Sequence, residues 1–259
     1  MEIRQPAVAG LFYPDDPSEL AATVDQCLSE HARPPMPDVR ALVVPHAGYV
    51  YSGSTAATAY SCLSRGRRYK YVLLIGPSHR VAFDGIAVTD ASRFATPLGM
   101  VDVATKPISA LVKDELVQFN PMAHSREHSL EVQLPFLQRL EIDAPILPCV
   151  VGRVSGESVA ALIQPALEDP DVLTLISTDM SHFLTYDEAR ITDAHTHKRL
   201  LRGAADIDPN EACGCMGLNG LQLALRSLTY RMHLLAHCNS GDVSGDQSRV
   251  VGYATYAVY

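Results

Sequence analysis

No Cys-x-x-Cys pair occurs among the six cysteines of this 259-residue chain, Cys27, Cys62, Cys149, Cys213, Cys215 and Cys238. That absence excludes a zinc ribbon, and a chain of this size needs no disulfide staples, so reduced thiols are expected. No stretch approaches the roughly 20 apolar residues of a membrane span, and Met1-Glu-Ile-Arg4 shows no apolar signal core. The expected location is cytoplasmic. Basic residues are outnumbered, 21 Lys and Arg against 29 Asp and Glu for a formal charge of -8, and Arg65-Gly-Arg-Arg-Tyr-Lys70 is the one dense basic cluster. Most of such a surface repels a phosphate backbone, so nucleic acid is not expected as a partner, nor is a membrane. Repeats and low-complexity tracts are also lacking. With 47% hydrophobic residues the chain can bury a full core, expected as a single domain over 1–259.

What is present alternates between strand-like and helix-like segments. Leu20, Val24 and Leu28 recur at helical spacing within Pro17 to Glu30. Ala41 to Val44, Tyr71 to Ile75, Ile146 to Val151 and Leu173 to Ser177 are short apolar runs of buried-strand type, and Val250 to Tyr259 is rich in β-branched and aromatic residues. Helices are expected from Ser52 through Leu63 with hydroxyl caps, and across Leu130–Leu140, Ser158–Leu167, Asp187–Leu201 and Asn219–Leu228. Thr96-Pro-Leu-Gly99 reads as the turn of a hairpin joining Gly85–Asp90 to Met100–Ala104. The pattern predicts an α/β sandwich with a mixed sheet.

Chemistry gathers at the ends of the strands. His46 follows Ala41-Leu-Val-Val-Pro45, His79 follows Tyr71-Val-Leu-Leu-Ile-Gly-Pro-Ser78, and Leu173-Thr-Leu-Ile-Ser-Thr-Asp-Met-Ser-His182 delivers Asp179 with His182. Ligands of open α/β sheets sit just past the carboxyl ends of strands, so three such histidines point to a metal or catalytic site. One alone would more simply be structural. His124, His128 and Glu131 fall at i, i+4 and i+7 and would share a helical face, in helix capping or in support of a metal's ligands, but the Glu of a zincin motif is missing. Tyr49 and Tyr51 flank His46 as candidates for stacking on a ring or for packing. The glycine-punctuated stretch Cys238–Asp246 brings a thiol or a carboxylate toward the same cleft.

Arg4-Gln-Pro-Ala-Val-Ala-Gly-Leu-Phe-Tyr-Pro14, Pro45-His-Ala-Gly-Tyr49, Gly76-Pro-Ser-His79, Glu127-His-Ser-Leu-Glu131, Asp179-Met-Ser-His182 and Cys213-Gly214 together resemble the Memo family from Arg4 to the C-terminus. Its prokaryotic members are often called AmmeMemoRadiSam system protein B. The resemblance implies a fold like that of the class III extradiol (protocatechuate 4,5-dioxygenase type) dioxygenases, with His46 and His79 as metal ligands and Asp179 and His182 lining the site. A radical S-adenosylmethionine partner is implied by the system name alone. The third ligand of the dioxygenases is a carboxylate, and that of animal Memo proteins a cysteine, whose place falls on Val243 here. Asp242 is the preferred third ligand and Cys238 the alternative.

Two histidines and Asp242 would make the facial triad of a non-heme Fe(II) centre, with open positions for a catechol-like substrate and O₂. In that reading neutral His182, oriented by Asp179, moves protons, while His128 and Glu131 orient ligands. Cys238 would instead favour copper or zinc. Two alternatives stand beside it, a non-enzymatic protein binding metal or peptide in the same cleft, and a metal-assisted hydrolase.

Overall fold

Four apolar runs form the centre of the structure, a computed structural model that describes residues 2–36, 38–113 and 115–259. The chain runs through β1 (Ile3–Arg4), α1 (Pro17–Glu30), β2 (Ala41–Val44), α2 (Tyr49–Tyr60), β3 (Tyr71–Pro77), β4 (Ile86–Val88), β5 (Arg93–Thr96), β6 (Gly99–Asp102) and α3 (Thr105–Lys113). There follow β7 (Gln118–Phe119), α4 (Pro121–Ser125), a 3₁₀ turn (Glu131–Gln133), α5 (Leu134–Arg139), β8 (Ile146–Val151), α6 (Gly156–Glu168) and β9 (Val172–Ser177). The last elements are β10 (His182–Leu184), α7 (Tyr186–Leu201), α8 (Cys215–Leu225), β11 (Met232–Asn239), α9 (Ser240–Ser244) and β12 (Val250–Val258).

The main sheet has the order β10-β12-β2-β9-β3-β8-β4-β7, with β11 also paired to β12. Its centre, β2-β9-β3-β8, is parallel. Such strands are covered on both faces, which is why they read as continuous apolar runs rather than alternating ones. Successive side chains of β9 show the two faces. Ile176 meets the space that Gly217 of α8 leaves open, whereas Ser177 meets Ser129 and Gln133 on the other side. The α1, α2 and α5 helices pack with one another, while α6 and α8 pack together, α8 against β3 and β9. The result is the mixed-sheet α/β sandwich expected.

Several local expectations are corrected. The helix after His46 starts at Tyr49, with Gly48 as its N-cap and no side-chain cap. The hairpin forms between β5 and β6, and the segment at 86–88 joins the main sheet beside β8 instead, where its apolar residues are buried on both sides. The α8 helix begins at Cys215, four residues before the expected start. Residues 240–244 form α9, capped by Asn239, rather than an open loop. His182 lies within a short strand at the sheet's edge.

The helix expected over His124, His128 and Glu131 is absent. The α4 helix stops at Ser125, and the next turn begins only at Glu131. The three side chains therefore diverge. His124 points to the Ala87 carbonyl, His128 enters the site described below, and Glu131, fully buried, faces the N-terminal segment. There its carboxylate pairs with Arg4 and accepts the backbone N–H groups of Ala7 (2.8 Å) and Val8 (3.0 Å) and the Tyr13 hydroxyl (2.5 Å). Glu131 is thus a clamp on residues 4–13 and not part of a pocket for substrate.

Candidate metal centre

Proline ends each of the two strands that deliver the first histidines. Pro45 follows β2 and Pro77 closes β3; lacking an N–H, neither can extend a ladder, and the chain leaves the sheet within two residues. His46 and His79 stand in those departures. The segment carrying His128 is brought over the end of β3 by a close approach at Gly76, where a Cβ would lie 2.7 Å from Ser129 Oγ. Ser129 then donates its hydroxyl to the Pro77 carbonyl at 3.0 Å. Glycine at 76 and serine at 129 are what let residue 128 reach the histidines of two other segments.

One ring nitrogen from each of His46, His79 and His128 lies within 4.8 Å of the others. The ring centroids are 4.6–5.3 Å apart. Among the described residues this is the group of three or more potential ligands compact enough for one ion. Its tautomers follow from the hydrogen bonds behind it. Ser177 Oγ gives its proton to the Ser129 carbonyl (2.6 Å) and accepts from Gln133 Nε2 (2.9 Å). The 2.9 Å contact of Ser177 Oγ with His46 Nδ1 must then run from Nδ1–H to the hydroxyl oxygen. That leaves the lone pair of His46 on Nε2.

The same logic holds for His79, whose Nδ1 lies 2.9 Å from the Glu127 carboxylate. A carboxylate only accepts, so Nδ1 carries a proton, and in the neutral form of the ring Nε2 holds the lone pair. Burial acts to raise the Glu127 pKa, but the hydrogen bonds from the His79 side chain and backbone and from the Ser129 N–H outweigh it and hold the pKa at about 2. His128 Nδ1 is 3.3 Å from the same carboxylate. The carboxylate thus hydrogen-bonds the His79 ring and lies beside His128 without a hydrogen bond to it; the first of these is the outer-shell arrangement that fixes an imidazole ligand. We expect Glu127→Gln to lower metal affinity by about 10–100-fold, read by competition titration against a chromophoric chelator; an unchanged affinity would show that Glu127 plays no such part.

Two of the rings, His46 and His128, are kept neutral. Burial, then the neighbouring His79, His128 and His182, hold the His46 pKa well below its usual value, and burial followed by His79 brings His128 to about 4. Imidazole nitrogens gathered this closely suit a divalent first-row ion, and the three residues fit such a metal.

Around this set lie the other sequence candidates. Asp179 accepts the His46 backbone N–H at 2.8 Å, and its second oxygen is 3.9 Å from His46 Nε2. Burial raises its pKa to about 7 despite that hydrogen bond. It therefore positions His46 rather than orienting His182. His182, with a pKa lowered mainly by burial, lies in the electrostatic reach of His46 and His79. Phe12 packs on His128, with centroids 4.7 Å apart.

Asp242 is engaged elsewhere. Its carboxylate accepts the Asn239 N–H (2.9 Å) and the Tyr186 hydroxyl (2.6 Å) as part of the α9 cap. Cys238 Sγ lies 3.0 Å from Thr55 Oγ1. Neither joins the cluster, and His128 occupies the third position instead. Tyr49 is a core residue, its hydroxyl donating to the Val132 carbonyl and its ring packing on Tyr13 and Phe136, while Tyr51 is exposed on α2. Three contributors escaped the residue-by-residue reading, namely Glu127, Ser177 and Cys213, whose Sγ sits 3.3 Å from His46 Nε2. Glu127 and Cys213 lay in the quoted motifs, which was the one signal available for them.

The model of a family described as Memo-like protein matches residues 4–257. A "MEMO1 family protein" of Methanobrevibacter smithii is 33% identical over 277 residues, covering 98% of each chain. A protein of the same description from Aquifex aeolicus is 34% identical over 270 residues, again covering 98% of each. The crystal structure of an uncharacterized protein from Escherichia coli K12 superposes with a TM-score of 0.52 at 12% identity, covering 84% of this chain and 98% of that one. That likeness is one of fold.

Proposed function

The chain belongs to the Memo family, and from that premise we propose that it is a metal-dependent oxidoreductase of the non-heme iron dioxygenase type, acting on a small catechol-like substrate. The observation that carries this reading is the convergence of three imidazoles, two of them with Nδ1 engaged by Ser177 and Glu127 so that Nε2 is the nitrogen left for an ion. His46, His79 and His128 would hold the ion. Fe(II) bound there would supply a Lewis-acidic, redox-active centre with positions left for substrate and O₂.

The remaining chemistry belongs to the chain's own side chains. Asp179 fixes the segment that carries His46 through the backbone N–H. Burial keeps His182 neutral, so its ring can take a proton from a substrate hydroxyl and return it. Phe12 packs on the His128 ring and Asp179 lies beside His46, while His79 is the exposed member of the set. One feature favours a second reading. A set of three imidazoles without a carboxylate is also a zinc site of hydrolytic type, in which His182 would accept the proton of an activated water.

Anaerobic purification followed by elemental mass spectrometry and O₂-uptake assays on a panel of catechols tests both. Near-stoichiometric iron with uptake on at least one catechol is expected. Zinc that iron does not replace would move the conclusion to the hydrolase, and a protein that takes up no metal on anaerobic reconstitution would overturn both.

A further inference from the structure

A second space opens beside the histidines. It is a cavity of about 600 Å³ at the carboxyl ends of β3, β8 and β9, roofed by the start of α8. Cavities of this size and position are where open α/β sheets take small molecules. Ser177 and Cys213 belong to its wall. Both residues touch His46, Cys213 at Nε2 (3.3 Å) and Ser177, whose side chain points to the face away from α8, at Nδ1 (2.9 Å). The cavity and the histidine cluster are therefore separated by the thickness of one side chain.

The lining limits what fits. Ile75, Val81, Phe83, Val151, Ile176 and Met216 supply most of the wall. The polar groups are already committed. Ser78 donates to the Val81 carbonyl at 2.6 Å. The Ser177 hydroxyl gives its proton to Ser129 and accepts from Gln133 and His46. Asp84 and Arg153, both largely exposed, pair with each other at 2.7 Å. No free charge is left in the wall for an ionic ligand, and burying an unpaired charge there would be costly. Cys213 is the polar group facing both spaces. A Cβ on the adjacent Gly214 would come within 2.6 Å of Thr178 Cβ and 2.8 Å of the Ser177 carbonyl, so the thiol is held by a tightly packed turn.

We infer that this cavity binds the apolar body of a small uncharged organic molecule, with Cys213 as the partition across which its polar end meets the histidine centre. The first half stands on the cavity alone; the second rests on the proposed metal function.

Fluorescence titration of the metal-free protein with 2-naphthol, and in parallel with 2-naphthoate, separates the two. The neutral probe is expected to bind wild type at least tenfold more tightly than the anion. Met216→Trp, and independently Val154→Trp at another residue of the wall, should weaken 2-naphthol binding at least tenfold while leaving metal uptake at the wild-type level. Equal binding of the two probes, or undiminished 2-naphthol binding in both filled variants, would overturn the assignment. With Co(II) loaded, saturating 2-naphthol should shift the visible absorption of wild type, and an unchanged spectrum in protein shown to hold both would overturn the link through Cys213. Absence of metal binding with naphthol binding intact would count against the metal function, not the cavity.

Discussion

Acidified from pH 6.5 to 4, the metal-free protein is expected to unfold. His124, His128 and His197 are each held near a pKa of about 4, first by burial, with His79 adding to the effect at His128 and His237 at His197. The unfolded chain takes up a proton at each near pH 6.5. A depressed histidine pKa means that stability is fully present above the unfolded value and is lost as pH falls toward the folded one. Each of the three therefore forfeits on the order of 3 kcal/mol by pH 4. Asp179 acts in the opposite sense. Its carboxyl, raised to about 7, contributes at low pH and loses that contribution as pH rises from about 4 to 7. One opposing group offsets one histidine. The remaining deficit of roughly 6 kcal/mol is comparable with the whole stability of an ordinary domain. Urea midpoints measured by circular dichroism from pH 7 to 4 should fall throughout, and a flat profile would show that these rings are not held neutral by the fold.

Replacing Glu131 has the second large effect. Its carboxylate is fully buried and satisfies the Arg4 guanidinium, two backbone N–H groups and the Tyr13 hydroxyl together. Glu131→Ala strands the buried cation and is expected to cost about 3–5 kcal/mol, while Arg4→Met with Glu131→Leu, which removes both charges, should recover part of that loss. Chemical denaturation of the three proteins measures it. A single variant within about 1 kcal/mol of wild type would mean that water reaches Arg4 and that the clamp is weaker than its geometry. Because Phe12 lies on His128, loosening residues 4–13 should also uncover the histidine cluster.

The sheet's core was legible because β2, β3, β8 and β9 are buried on both faces and so appear as unbroken apolar runs. His46 and His79 were legible for a related reason, since a proline at the end of a buried strand marks where the chain turns outward. His128 was read in the right motif and the wrong local structure. Its spacing to His124 and Glu131 suits a helix, but the segment is stitched across the end of β3 through Ser129 and Gly76, a contact between residues some fifty positions apart that periodicity does not encode. Asp242 and Cys238 attracted attention by their residue types near the last strand. In the fold Asp242 closes a helix cap and Cys238 meets Thr55, and local capping took the carboxylate that a ligand role would need. Cys213 reaches His46 because Gly214 lets its turn press against Thr178, again a matter of packing rather than pattern.

The central claim is that His128, and not Asp242, completes the metal-binding set with His46 and His79. Zinc affinity measured by competition in wild type, His128→Ala and Asp242→Asn tests it directly. Loss of more than about a hundredfold in His128→Ala, with Asp242→Asn within about twofold of wild type, is the predicted result; the reverse pattern would contradict the account and return the third position to the carboxylate.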